Sequence, residues 1–193
     1  MGRNKNSALI ILSGGGTGGH IYPAVSIGRA IQKKYPQFSI GYFGTPKGLE
    51  AKLIPKENWP FYPIEAAGLE RQLSFKTVKS LGITAKGYFQ AKRRLKNLKP
   101  KIVIGTGGYV CGPVVLAAAH LGIPTVIHEQ NAYPGLTNRL LARVANQVMI
   151  SFSQSKSYFS AKAEVLHTGL PIREKIIKTS RQEGLEALGL HDG

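Results

Sequence analysis

The feature that most constrains this chain is a recurring unit: a short unbroken apolar run, a turn rich in glycine or polar residues, and a longer stretch with helical spacing. Ile102-Val103-Ile104 and Thr125-Val126-Ile127 are two such runs. Runs of this kind read as strands buried on both faces by helices. The pattern predicts strands over 8–12, 38–43, 61–64, 101–105, 124–128, 147–151 and 164–168, and helices over 19–34, 48–54, 75–98, 112–121 and 135–145. Strand and helix in alternation are the signal for βαβ units. The expected fold is therefore α/β, a Rossmann-like open parallel sheet with helices on both faces. Within 19–34, Ile21, Val25, Ile27 and Ile31 fall close to helical spacing, and Lys33 and Lys34 occupy the last turn, where the helix dipole favours positive charge. Pro36, Pro100 and Pro124 stand where one element gives way to the next.

A chain of 193 residues is long enough for one well-buried domain and short for two. Residues 1–170 read as that domain, and 171–193 as a charged helix or linker leading away from it. No apolar run approaches the roughly 20 residues of a membrane span, and the apolar segment at 8–12 is too short for a signal peptide. The single cysteine, Cys111, cannot form an internal disulfide, which agrees with a reducing compartment such as the cytosol. The net charge of +16 is concentrated: ten basic residues lie from Arg71 to Lys101, and no carboxylate side chain lies between Glu70 and Glu129. Such a stretch suits nucleic acid, anionic lipid or a polyphosphate, and its sign does not choose among them.

In a parallel sheet the loops at the carboxyl ends of the strands hold the ligands, and three of those loops are unusual. The first, Gly14-Gly15-Gly16-Thr17-Gly18-Gly19-His20, has five glycines in seven residues and opens a helix, as an anion cradle would. A tight strand-to-helix turn is the alternative, but it does not require so many glycines. The loop is not a dinucleotide fingerprint, because Tyr42-Phe43-Gly44-Thr45 stands where an acid would bind a ribose. No G-x-x-x-x-G-K-[ST] loop occurs either. The second loop is Gly105-Thr106-Gly107-Gly108-Tyr109-Val110-Cys111-Gly112-Pro113, and the third is His128-Glu129-Gln130-Asn131. All three are expected to face one crevice.

Four stretches taken together, SGGGTGGHIYPA, GTGGYVCGP, HEQNAYPGLTNR followed by LLARVA, and HTGLPIR, resemble the motifs of the MurG family of bacterial N-acetylglucosaminyltransferases. The resemblance runs from about Ala8 to Arg173, with one departure at Leu170, where the family usually has asparagine before proline. It implies the N-terminal, acceptor-side domain of a GT-B glycosyltransferase. It also implies an inverting transfer from UDP-N-acetylglucosamine to the undecaprenyl-pyrophosphoryl-muramoyl-pentapeptide lipid, at the cytoplasmic face of the membrane. Family members carry a second, C-terminal donor-binding domain, so this half is expected to be inactive alone. A subunit of a split transferase and an inert fragment are the alternatives.

Carried over by position, Thr17, Gly18, Gly19, Asn131 and Arg173 match donor contacts. Gly15, Gly16, Gly107, Gly108, Tyr109, His128 and Gln130 are assigned to the acceptor. His20 is the candidate base, since an imidazole with its ordinary pKa of about 6.5 is mostly neutral at pH 7. Glu129 is the rival base or a positioning group. No cofactor is expected, and the only aspartate is Asp192, so no paired-aspartate metal site is expected in this half. In the basic stretch Leu81, Ile83, Tyr88 and Phe89 lie among Lys76, Lys79, Lys86, Lys92, Arg93 and Arg94, the composition of a surface that docks on anionic membrane. Most of those four apolar side chains are expected to pack in the core. Neither a recognised nucleic-acid motif nor aromatics set for base stacking are found, so nucleic acid is not expected as a partner.

Overall fold

The structure, a computed structural model, describes residues 8–68, 75–160 and 163–190. Along the chain run β1 (Ala8–Ser13), α1 (Gly18–Lys34), β2 (Phe38–Gly44), α2 (Glu50–Leu53), β3 (Phe61–Pro63), α3 (Phe75–Leu98) and β4 (Ile102–Gly105). Then follow α4 (Cys111–His120), β5 (Thr125–Glu129), α5 (Leu136–Leu141), β6 (Gln147–Ile150), β7 (Glu164–His167), α6 (Glu174–Lys178) and α7 (Arg181–Leu188). The seven strands form one sheet in the order β3-β2-β1-β4-β5-β6-β7, with every pairing parallel. All seven predicted strands are present, with ends displaced by a residue or so.

The two faces of the sheet carry separate apolar layers. Ile10 and Leu12 of β1 pack with Ile40, Tyr42, Ile104 and Val126 under Ile21, Ala24 and Val25 of α1. Ile11, pointing the other way, packs with Phe43, Val103, Ile127 and Val148 under Ala91 and Leu95 of α3 and Val114 and Val115 of α4. Alternation along β1 therefore feeds two cores, which is why the strand reads as a continuous apolar run.

One helical prediction is corrected: residues 135–145 give only the short α5, with turns closing the rest. Beyond residue 170, the described residues carry two short helices. The second of these, α7, starts at a capping box in which Ser180 Oγ accepts from Glu183 N and the Glu183 carboxylate accepts from Ser180 N. Within α1 the sequence reading passed over Pro23, which supplies no N–H to the Gly19 carbonyl one turn earlier.

Candidate functional site

The strand order reverses between β1 and β4, and the loops leaving these two strands meet above the sheet at that switch point. They are bonded to each other. Gly15 N donates to Gly107 O at 3.4 Å, Thr106 N donates to Ser13 O at 2.9 Å, and Thr106 Oγ1 donates to His20 O at 2.7 Å. Gly107 and Gly108 adopt φ of +95° and +79°, in the left-handed region. A Cβ on Gly107 would lie 2.9 Å from His20 Nδ1, and one on Gly108 would collide with the Gly15 carbonyl. These two glycines are thus required by the approach of one loop to the other.

Beneath the first loop lie two polar supports that sequence reasoning missed. The buried Tyr42 hydroxyl donates to Gly14 O at 2.6 Å. The buried Glu50 carboxylate accepts from Thr45 N and Thr45 Oγ1 at 2.9 and 2.7 Å, and from Gly16 N at 3.4 Å. Burial, with the nearby Glu50 charge second, holds the Tyr42 phenol well above its usual range, so it stays a neutral donor. A glutamate opening a short helix carries no sequence signal that it will be buried.

The first loop ends at Thr17, the extended N-cap of α1, whose side chain makes no capping bond, and no acid stands in the first turn. Among the described contacts the Gly18 and Gly19 amides have no acceptor, so a positive helix terminus faces a cleft of about 600 Å³. Thr17, Gly18, Gly19, His20, Gln130 and Asn131 line that cleft, with Leu170, Pro171, Ile172 and Arg173. The Arg173 guanidinium stacks 4.3 Å from the ring centroid of Tyr22, another lining residue the sequence reading did not single out.

Behind the cleft, His128 is 1% exposed, and burial pushes its pKa down, against smaller opposing effects of the Gly169 carbonyl and of Glu129. Glu129 is also 1% exposed. Its Oε1 accepts from Asn131 N and Nδ2, both at 2.9 Å, and its Oε2 accepts from Gly135 N at 3.1 Å and Asn138 Nδ2 at 2.9 Å. With four donors on two oxygens and no path to solvent, it is placed as an anchor of the 130–135 loop. Of the two roles expected for Glu129, this arrangement accommodates positioning and leaves no lone pair for a substrate proton.

The expected acceptor residues are divided. Gln130 reaches the cleft; His128 lies under it, out of reach of a ligand. Gly15, Gly107 and Gly108 are spent on the contact between loops, while Gly16 and Thr17 are exposed. Tyr109 turns its ring edge to Gly16 on one side and on the other lines a second concavity.

That concavity, about 840 Å³, runs between α3, α4 and α5 and is walled by Leu81, Tyr88, Leu116, Leu136, Leu140 and Val144. At its rim the Tyr88 hydroxyl and His120 Nδ1 are 2.8 Å apart. The expectation that most apolar residues of the basic stretch pack inward is corrected here. Leu81 is 52% and Phe89 67% exposed, as is Val78 at 69%. The reason is the stripe α3 buries: Gly87, Ala91 and Leu95, spaced i, i+4, i+8, face the domain, and a Cβ on Gly87 would strike the Glu65 carbonyl. Lys79, Arg93 and Lys96 are exposed on the same helix, and Lys86 pairs with Glu65 at 2.7 Å. Arg71 and Asp192 lie outside the described residues, as does the side chain of Lys76. No described helix is long and apolar enough to cross a membrane. Among the described residues no cluster of three His, Cys, Asp or Glu could hold a metal.

The glycosyltransferase family 28 N-terminal domain matches residues 10–150, which takes in both glycine loops and the third loop. The chain belongs to this family. It is 51% identical over 180 residues to a protein of Desulforamulus reducens named UDP-N-acetylglucosamine--N-acetylmuramyl-(pentapeptide) pyrophosphoryl-undecaprenol N-acetylglucosamine transferase. That match covers 93% of this chain and 48% of the relative. A relative of the same name from Caldanaerobacter subterraneus is 50% identical over 179 residues, covering 93% and 49%. The chain thus spans about half the length of these relatives. Among solved structures, Acinetobacter baumannii MurG superposes with a TM-score of 0.69 at 37% identity, covering 89% of this chain and 47% of that one. The resemblance read from the four motifs is confirmed, and so is the Rossmann-like parallel sheet expected of the N-terminal domain of a GT-B glycosyltransferase.

Proposed function

We propose that this chain is the acceptor-side half of an inverting N-acetylglucosaminyltransferase that uses UDP-N-acetylglucosamine and a polyprenyl-pyrophosphoryl-muramoyl-pentapeptide acceptor. Residues 1–170 form the domain that brings the acceptor to the cleft, and 171–193 lead towards a donor-binding half. One observation carries the reading: a candidate base, His20, shares a cleft with two groups suited to a departing diphosphate. These are the open Gly18 and Gly19 amides and the Arg173 guanidinium, which lies over the Tyr22 ring of the same helix.

The chemistry follows from that arrangement. The acceptor hydroxyl oxygen attacks the anomeric carbon, the bond from that carbon to the diphosphate oxygen breaks, and the hydroxyl proton passes to His20. Charge developing on the diphosphate is met by the helix terminus and Arg173. The groove lined by Leu81, together with the exposed Phe89 of the same helix α3 and its lysines and arginines, is the face that meets anionic membrane, so the enzyme works as a peripheral protein. Tyr109 stands between that groove and Gly16, on the route from membrane to cleft.

The test is transfer of labelled N-acetylglucosamine to the lipid-linked acceptor, with this chain alone and with a donor-binding half supplied. The reading predicts turnover only in the second case; robust turnover by the chain alone contradicts the division of labour.

A further inference from the structure

We infer that His128 and Gln130 are positioning residues for His20, forming with it a directed hydrogen-bond chain that ties the ring's tautomer to the backbone at Gly169. The inference rests on the proposed role of His20 for its kinetic test alone.

The direction of each bond is forced by chemistry. His20 Nδ1 lies 3.0 Å from the Thr106 carbonyl and 3.2 Å from Gln130 Oε1. A carbonyl oxygen only accepts, so Nδ1 must carry the proton. The amide of Gln130 cannot be turned round, because its Nε2 lies 3.1 Å from the His128 carbonyl, another pure acceptor. The same Nε2 lies 3.1 Å from His128 Nδ1, and His128 Nε2 lies 3.1 Å from the Gly169 carbonyl. His128 is therefore neutral with its proton on Nε2, donating to Gly169 O, and its Nδ1 accepts from Gln130. The two histidines hold opposite tautomers, joined by one amide.

Two consequences matter. His20 has Nδ1 and Cε1 turned towards Gly107, and its Nε2 makes no hydrogen bond among the described residues. The lone pair that could take a proton is thus kept on the nitrogen away from the supporting loop. Gly169, at φ +77°, begins the segment whose Leu170, Pro171, Ile172 and Arg173 line the cleft. The His128–Gly169 bond is thus the point at which that segment is joined to the hydrogen-bond chain ending at His20. The chain is shielded, with His128 and Gln130 1% and 8% exposed, so water does not substitute for its members.

The test uses the intact chain labelled with 15N at histidine, above the imidazole titration range, with resonances assigned by single His→Gln variants. Long-range proton–nitrogen spectra should show His20 protonated at Nδ1 and His128 at Nε2. His20 protonated mainly at Nε2 overturns the inference. In Gln130→Glu the acceptor facing His20 survives but the donor facing His128 is lost. His128 Nδ1 should then gain a proton, and an unchanged His128 spectrum contradicts the chain. With a donor-binding half supplied, Gln130→Leu should lower kcat by about 10-fold to 10⁴-fold, the upper figure being what a wrong tautomer costs a histidine base. KM for the acceptor should change little. Unchanged kcat removes the positioning role. Unchanged turnover in His20→Ala, with the tautomers as described, would instead remove His20 as base and leave the hydrogen-bond chain standing.

Discussion

Glu129→Gln separates an anchor from a base. In the native loop each carboxylate oxygen accepts two bonds, from Asn131 N and Nδ2 on one and from Gly135 N and Asn138 Nδ2 on the other. A glutamine keeps one oxygen and sets an NH2 group against the other two donors. Two bonds to a buried charge are lost, each worth about 1.5–3 kcal/mol, and part is recovered because Asn138 Nδ2 still donates to His128 O at 3.1 Å. A net loss of about 3 kcal/mol is the working figure. For a chain of this size that lowers Tm by about 6–12 °C. Thermal unfolding followed by circular dichroism measures it, and Glu129→Ala, which strands all four donors, should fall further. A midpoint within about 1 °C of the parent, or above it, would refute the reasoning, because a group held for catalysis rather than for the fold is removed without loss of stability.

Three further outcomes follow from the same structure. Burial depresses the pKa of His128, so between the depressed value and the unfolded value of about 6.5 the unfolded chain binds more protons. Stability supported by His128 is present above pH ~6.5 and lost as pH falls below it, and His128→Phe should flatten that slope in urea melts taken from pH ~7 to ~5. Burial pushes the Cys111 thiol up to about 12, so at pH ~8 it should resist thiol reagents until the chain is unfolded; rapid labelling of the native protein would contradict its placement. Replacing Leu81 and Phe89 together by serine should weaken sedimentation with anionic vesicles at least about tenfold, since two large apolar side chains are each worth ~1.5–3 kcal/mol when buried. Equal binding would return the groove beside α3 to an ordinary solvated surface.

The sheet is legible in the chain because a strand covered on both faces shows as a continuous apolar run, as in β1, β4 and β5, and because the seven short strand patterns alternate with helical spacing. The same double covering hides the division of labour within the third loop. Every residue of β5 is buried, so alternation does not tell which of His128 and Glu129 turns to the cleft and which to the interior. Glu129 reads from the sequence as a rival base or a positioning group, and in the structure its carboxylate accepts from four donors. His128 reads as a ligand contact, and in the structure it is buried beneath the cleft-lining Gln130. Glu50 and Tyr42, which hold the first glycine loop from below, are invisible because they lie on separate elements brought under the loop only by folding. Along α3 the helical period is plain, but its buried stripe runs through Gly87 and Ala91, small residues that mark close approach rather than an apolar face. Hydropathy alone therefore misplaces Leu81 and Phe89, which are exposed, while Ile83 and Tyr88 are half-buried.

On the proposed reading, His20 takes the acceptor's proton in a cleft this chain builds. The direct measurement is N-acetylglucosamine transfer by His20→Ala against the parent, both combined with the same donor-binding half and matched for melting temperature and acceptor binding. His20→Ala should lower kcat by at least about 10²-fold, the contribution of a general base, with acceptor affinity retained. Turnover equal to the parent's would contradict it.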